Sequence, residues 1–252
     1  MDLNEKLAII DRWLIFRRRV YAVDGHFSII DNGKYEIMTP IGNAKGIPEI
    51  FNIRLEDLSD SDLQRTVQEI KSNYPDGDFH IQWPYGCSDR VHIAINGEIP
   101  THPMKDIVFG IMKPEDMPCY PAAPNHIEIR KVVSKEDFAL WCAPSFQDFW
   151  FFDQHKHFHL IKEDKIICFI AFIDGKHIAT SMVTNNDGEA ALDRITILPE
   201  YRHEGIDTSL CQHSIKYAFD IGVGCIVGYG FPELYPDEYR LFQELNFPVV
   251  SS

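Results

Sequence analysis

The sequence predicts a mixed α/β protein of α+β type, with a mostly antiparallel twisted sheet flanked by helices in its second half and a second α/β domain before it. Three observations carry the fold class. The second half of the chain reads β-α-β-β-β-α-β-α-β from its hydrophobic periodicity, which implies a mostly antiparallel twisted sheet flanked by helices. Pro114, Pro118, Pro121 and Pro124 crowd the stretch from Lys113 to Asn125, a break that sets expected domains at 1–124 and 125–252. The run ILPEYRHEGIDTSL, Ile197 to Leu210, changes from strand alternation to helical spacing across a short turn that holds Arg202 and Gly205.

In the first half, Leu7 to Phe16 is apolar but interrupted by Asp11 and Arg12, and Arg17, Arg18 and Arg19 follow it. A secretory signal has its basic residues before the apolar stretch, and a bilayer span is longer, so this segment reads as an amphipathic helix packed on its own domain. Leu58 to Tyr74 reads as a second helix, with Ser59 or Ser61 as its cap and Leu63, Val67 and Ile70 at helical spacing. Phe79 to Trp83, Val91 to Ile95 and Asp106 to Met112 are short strand candidates.

In the second half, Ile127 to Val133 alternates as a strand. Ser134 and Asp137 then form a capping pattern ahead of a helix carrying Phe138, Leu140 and Trp141. Ile166 to Ile173 and His177 to Thr184 are strands joined by Asp174-Gly175, a two-residue hairpin turn. Asn185 to Gly188 is a second turn and Ala190 to Leu198 a third strand. Gly205 to Ile221 is a helix with Ile206, Leu210, Tyr217 and Ile221 on one stripe and Gly222 as its C-terminal stop. Cys225 to Tyr229 is a short buried strand, Asp237 to Leu245 a helix, and Phe247 to Val250 a last strand.

Acidic residues outnumber basic ones by 38 to 24, a formal charge of −14, which argues against a non-specific nucleic-acid binder and suits a cationic substrate such as an amine. The six cysteines form no Cys-x-x-Cys pair, so they read as buried thiols of a reducing, cytoplasmic compartment rather than as disulfides or a zinc site.

The turn after Ile197 has the properties of a pyrophosphate site. The first N–H groups of a helix lack internal acceptors, the helix dipole adds positive character there, and glycine allows close backbone approach. Ile197-Leu198-Pro199 followed by Arg202-His203-Glu204-Gly205, placed after three meander strands and before a helix, resembles the GNAT superfamily of acyl-CoA-dependent N-acyltransferases. The resemblance covers Asn125 to Ser252. More loosely, the first half, with its Trp83-Pro84 strand and a terminal Phe109 to Met112 strand, resembles the degenerate partner domain of tandem members.

The resemblance implies acetyl-CoA as co-substrate, lying in a cleft where the Ile197 strand and the Cys225 strand splay apart. Backbone groups at Ile195 and Ile197 would bond the pantetheine. The amides of Arg202, His203, Glu204, Gly205, Ile206, Asp207 and Thr208 would hold the pyrophosphate. A neutral amine of a small molecule or peptide would attack the thioester directly, in a monomer or homodimer with no nucleic-acid or membrane partner.

Three residues depart from the family pattern. Its last signature position, Gly or Ala, is Asp207, which either repels phosphates and competes for the helix amides or points outward and favours the helix dipole. The tyrosine of the family's L-Y-E-K-L-G-F stretch is Phe242, which leaves Tyr239 and Tyr235 as candidate thiolate acids or as packing residues. The glutamate base of histone-type members is Ala191; Asp193, expected on one strand face with Ala191, Ile195 and Ile197, is a candidate base or a strand-edge charge. These departures keep open a second reading, a non-catalytic acyl-CoA-binding module.

His155, His157 and His159 alternate, but no acidic or cysteine neighbour completes a metal set, so they read as surface or cleft-lining residues. Phe146, Phe149, Trp150, Phe151 and Phe152 read mostly as core, with one or two able to stack on the acceptor.

Overall fold

The computed structural model describes residues 1–23, 27–41, 48–55, 57–73, 80–81, 107–120, 123–146, 152–202, 204–233 and 235–250. The chain forms two compact units, Met1–Lys105 and Asp106–Ser252.

The first unit opens with α1, Leu3–Ala22. Asp2 starts it through a reciprocal cap in which the Glu5 N–H donates to the Asp2 carboxylate and the Asp2 N–H to the Glu5 carboxylate, each at 2.9 Å. The helix outruns the expected Leu7 to Phe16 because its arginines are paired: Arg18 with Glu49, and Arg19 with the buried Glu36 at 2.6 Å. Strands β1 (Phe27–Asp31), β2 (Glu36–Pro40), β3 (Glu49–Phe51) and β4 (His80–Ile81) make a four-stranded sheet in that order, with only β3 and β4 parallel. Helix α2, Asp60–Asn73, buries Leu63, Val67 and Ile70 in a core with Tyr35, Ile50, Ile53 and Leu55. Ser59 is its cap, accepting the Asp62 N–H at 3.2 Å. Strands β1 to β3 are absent from the sequence expectations, and the Val91 to Ile95 candidate lies outside the described residues.

The second unit holds a six-stranded sheet. Its strands are β5 (Val108–Met112), β6 (Ile127–Lys131), β7 (Ile166–Ile173), β8 (Lys176–Asn186), β9 (Glu189–Ile197) and β10 (Cys225–Gly230), in the order β5-β10-β9-β8-β7-β6. Both predicted hairpins form. Asp174 and Gly175 take φ of 50° and 76°, and Asp187 and Gly188 take 52° and 98°, the left-handed pair that matches strand twist. Helices α3 (Lys135–Trp141) and α4 (Phe158–Lys162) lie between β6 and β7; α5 (Ile206–Asp220) joins β9 to β10; α6 (Pro236–Glu244) follows β10. The Ser134 cap forms as expected, accepting the Asp137 N–H at 3.0 Å.

Four expectations are corrected. The domain division falls earlier than residue 124, because Val108–Met112 pairs antiparallel with β10 and so belongs to the second sheet. The proline-rich stretch after it is therefore a connection within one unit, tied down by Tyr120, whose hydroxyl donates to the Leu245 carbonyl at 3.0 Å. Prolines break helices and ladders, but they do not by themselves end a domain. The last strand is reduced to a single bridge between Val249 and Gly110. The α5 stripe runs through Ile206, Leu210, Cys211, Ile215 and Ala218, while Ile221 is exposed just past the helix end. Of the cysteines, Cys168, Cys211 and Cys225 are buried as expected, whereas Cys119 is exposed and Cys142 half-buried. Among the described residues, no helix is long and apolar enough to cross a membrane.

Candidate active site

The site begins where β9 and β10 part. Among the described residues they are the one parallel pair of the second sheet, and they pair only at Cys225 with Glu189, Ile226 with Ala190 and Val227 with Ala191. Beyond Val227, β10 continues against β5 as far as Gly230, while β9 continues against β8 as far as Ile197. The predicted splay is therefore present. Phe247 helps to set β10 in place: a Cβ on Gly228 would stand 2.8 Å from its ring, so only glycine permits this packing.

The edge of β9 that faces the opening follows from the ladder. The Leu198 N–H donates to the Ile178 carbonyl at 2.9 Å, so Ile178 and Leu198 form a hydrogen-bonded pair. Bonded and non-bonded pairs alternate along an antiparallel ladder. The next pair, Ala179 with Ile197, and the pair Ser181 with Ile195 therefore turn their backbone groups away from each other. The N–H and C=O of Ile195 and Ile197 point out of the β8 ladder, toward the opening.

A β-bulge interrupts this strand. Met182 pairs with Arg194 and Val183 with Leu192, so Asp193 is the extra residue. The bulge overturns the expected face assignment. Paired residues share a face, so Ile195 and Ile197 share theirs with Ala190 and Leu192, toward α5, where all four join one hydrophobic cluster. Ala191 shares the opposite face with Arg194 and Thr196. Strict alternation from Ala191 misplaced these residues because one inserted residue shifts the parity.

Asp193 itself is buried, and the Tyr229 hydroxyl reaches it from β10, donating to its backbone carbonyl at 3.0 Å and standing 3.4 Å from Oδ1. Sequence reasoning missed Tyr229. Its signal was a lone polar aromatic between Gly228 and Gly230 at the end of an otherwise apolar strand.

After Ile197, Pro199–Tyr201 makes one 3-10 turn and Arg202 is extended and exposed. His203 lies outside the described residues. Glu204 is exposed, and Gly205 caps α5 in the left-handed region, at φ 71°. Nothing lies within 4 Å of a Cβ built on Gly205, so its glycine answers to backbone conformation rather than to crowding inside the protein. No side chain caps the helix from Gly205.

The carboxylate of Asp207 takes part of that role. Its Oδ1 accepts the Thr208 N–H at 2.9 Å, and its Oδ2 lies 3.8 Å from Arg240. The Thr208 hydroxyl donates to Glu244 at 2.7 Å. Of the two orientations open from sequence, Asp207 adopts the one directed at the helix amides.

The tyrosine candidates separate. Tyr239 is half-buried in α6, stacked on Phe242 with centroids 6.0 Å apart, and its backbone lies 3.1 Å from a Cβ built on Gly230. It therefore stands beside the end of β10. Tyr235 is exposed, edge-on to Phe231. Phe242 is buried and stacked on Phe247 at 5.5 Å.

The remaining described candidates divide between the core and the surface. His157 is buried, its Nδ1 accepting the Asp153 N–H at 3.0 Å, while His155 and His159 are exposed, so the three share no face. Phe152 packs on Trp141 and His157, and Phe146 stacks on His177 at 3.9 Å. Burial pushes the His177 imidazole down to about 4. Phe149, Trp150 and Phe151 lie outside the described residues.

Residues 126–247 match the model of the Acetyltransferase (GNAT) family. No curated protein matches the sequence. A GCN5-related N-acetyltransferase from Kribbella flavida superposes with TM-score 0.56 at 12% identity, over 84% of this chain and 83% of that one. A functionally unknown conserved protein from Staphylococcus epidermidis superposes with TM-score 0.48 at 10% identity, over 87% and 89%. A GCN5-related N-acetyltransferase from Sphaerobacter thermophilus gives TM-score 0.43 at 16% identity, over 57% of this chain and 48% of that one. At such identities the likeness concerns the fold alone, and only the first is close enough to carry that statement.

Proposed function

We propose that the protein transfers an acetyl group from acetyl-CoA to a primary amine of a small molecule or peptide, a reading supported by the match of residues 126–247 to the model of the Acetyltransferase (GNAT) family. The single observation that carries this reading is the open edge of β9. There the backbone groups of Ile195 and Ile197 leave the β8 ladder, at a strand that β10 has abandoned beyond Ala191. An extended amide-bearing chain such as pantetheine satisfies such an edge as an added strand does.

The pyrophosphate then reaches the turn from Arg202 to Thr208. Its amides and the Gly205 conformation suit an anion, and Arg202 adds an exposed cation. Asp207 is the residue that fits least, since its carboxylate already holds the Thr208 N–H.

In the transfer, the amine nitrogen attacks the thioester carbonyl carbon and the C–S bond breaks. The site supplies proximity, a base and a proton for the leaving thiolate. Asp193, at the apex of the opening, is the candidate base. Tyr239, beside Gly230, is the candidate acid. The net charge of −14 favours a cationic amine over an anionic one.

A second reading, an acyl-CoA-binding module without turnover, is favoured by Phe242, which offers no proton where the family pattern has a tyrosine. Thiol release from acetyl-CoA across a panel of primary amines separates the two. Release dependent on one class of amine supports the enzyme. Acetyl-CoA binding with no release above the rate in water supports the binding module.

A further inference from the structure

We infer that Arg240 of α6 binds a phosphate of acetyl-CoA at the start of α5, where that phosphate takes the place of the Asp207 carboxylate. The inference rests on the reading of the Arg202 to Thr208 turn as the cofactor's anion site.

The protein itself puts an anion at this point. The two oxygens of the Asp207 carboxylate face two different elements. Oδ1 accepts the Thr208 N–H of α5 at 2.9 Å, and Oδ2 lies 3.8 Å from the guanidinium of Arg240 on α6. One amide and one cation thus stand within the span of a single carboxylate. A phosphate presents a similar pair of acceptor oxygens with more charge, and arginine takes it in paired N–H···O bonds. The turn supplies amides and the helix dipole. Arg240 adds a full positive charge from a separate helix.

Packing brings Arg240 there. Helix α6 buries Leu241 and Phe242, and the Cα of Tyr239 lies 3.1 Å from a Cβ built on Gly230 at the end of β10. Glu244, one turn after Arg240, accepts the Thr208 hydroxyl at 2.7 Å and ties α6 to the start of α5. Position 240 therefore meets the first turn of α5 while its side chain stays exposed.

The ion pairs of Arg240 are long, 3.4 Å to Glu244 and 3.8 Å to Asp207. Pairs of this length on an exposed side chain contribute little, so exchanging them for a phosphate costs little. Two carboxylates beside the turn oppose any phosphate that arrives without a cation at hand. Arg240 is placed to be that cation.

Calorimetric titration of acetyl-CoA into four forms of the full chain tests the inference. They are the wild type, Arg240→Gln, the double variant Asp207→Ala/Glu244→Gln, and the triple variant. Arg240→Gln should weaken binding about tenfold, as loss of a charge-assisted hydrogen bond does. The same loss should separate the double from the triple variant, where Asp207 and Glu244 no longer need neutralising. Acetyl-dephospho-CoA then assigns the phosphate. If its affinity is indifferent to Arg240→Gln, the contact is to the 3′-phosphate; if it falls equally, the contact is to the pyrophosphate.

Equal affinity of the wild type and Arg240→Gln overturns the inference. So does a loss that disappears between the double and the triple variant, since Arg240 would then act only by neutralising its neighbours or holding α6. A wild-type chain that binds no acetyl-CoA overturns the anion-site reading together with the inference. Binding by the wild type that Arg240→Gln leaves untouched overturns the inference alone.

Discussion

The Asp207 carboxylate holds the backbone N–H of Thr208 at 2.9 Å. That N–H belongs to the first turn of α5, the group of donors an incoming pyrophosphate would use. The contact joins a wider arrangement in which Thr208 and Arg240 both reach Glu244, so the start of α5 is tied to α6. Two carboxylates therefore stand at the end of the site meant for an anion.

Asp207→Ala should tighten acetyl-CoA binding. A like charge at about 4 Å costs about 1 kcal/mol even in water, which corresponds to about fivefold in affinity. Calorimetric titration of the variant reads this directly. A clear loss of affinity would show instead that Asp207 contributes to the bound state, for example by holding Arg240 near the turn.

Gly228→Ala should destabilise the protein by about 1–3 kcal/mol, the usual range for overpacking. The added Cβ would meet the Phe247 ring at 2.8 Å. Urea unfolding of the variant measures the loss, and Phe247→Leu in the same chain should return part of it by vacating that volume. If the single variant unfolds at the wild-type midpoint, Phe247 is not packed against β10 as described.

His177 predicts a pH dependence of stability. Its folded value is pushed down to about 4 by burial, below the ordinary value of 6.5. The unfolded chain then binds more protons between those limits, so the contribution of this histidine is fully present above about 6.5 and is lost as pH falls toward about 4. His177→Phe should flatten that part of the curve in thermal unfolding at stepped pH. An unchanged slope would place the acid sensitivity elsewhere.

Much of the second unit was legible because its signals are local. Asp174-Gly175 announces a hairpin from two residues, Ser134 and Asp137 announce a helix start, and the Ile197 to Leu210 run announces a strand, a turn and a helix in order. What was not legible depends on partners distant in sequence. The bulge at Asp193 exists only in the register against Met182 and Val183, and a period-two reading cannot detect it. The place of Val108–Met112 in the sheet depends on β10, more than 100 residues later, so the nearer proline cluster drew the boundary instead. Tyr229 was passed over because its role is set by a carbonyl on another strand. The likeness of the first half to a partner domain relied on Trp83-Pro84, outside the described residues, and on Phe109 to Met112, which pairs with β10 in the second unit.

The central claim is that the open β9 edge and the turn at Gly205 form an acyl-CoA site. Titrating acetyl-CoA into the wild-type chain and into Gly205→Trp by calorimetry tests it most directly. Space around Gly205 is open, so the variant should fold with a loss of about 1 kcal/mol from the left-handed backbone. The account predicts one acetyl-CoA bound per second unit in the wild type and none in the variant. Equal affinity in both, or no binding by the wild type at millimolar ligand, would contradict it.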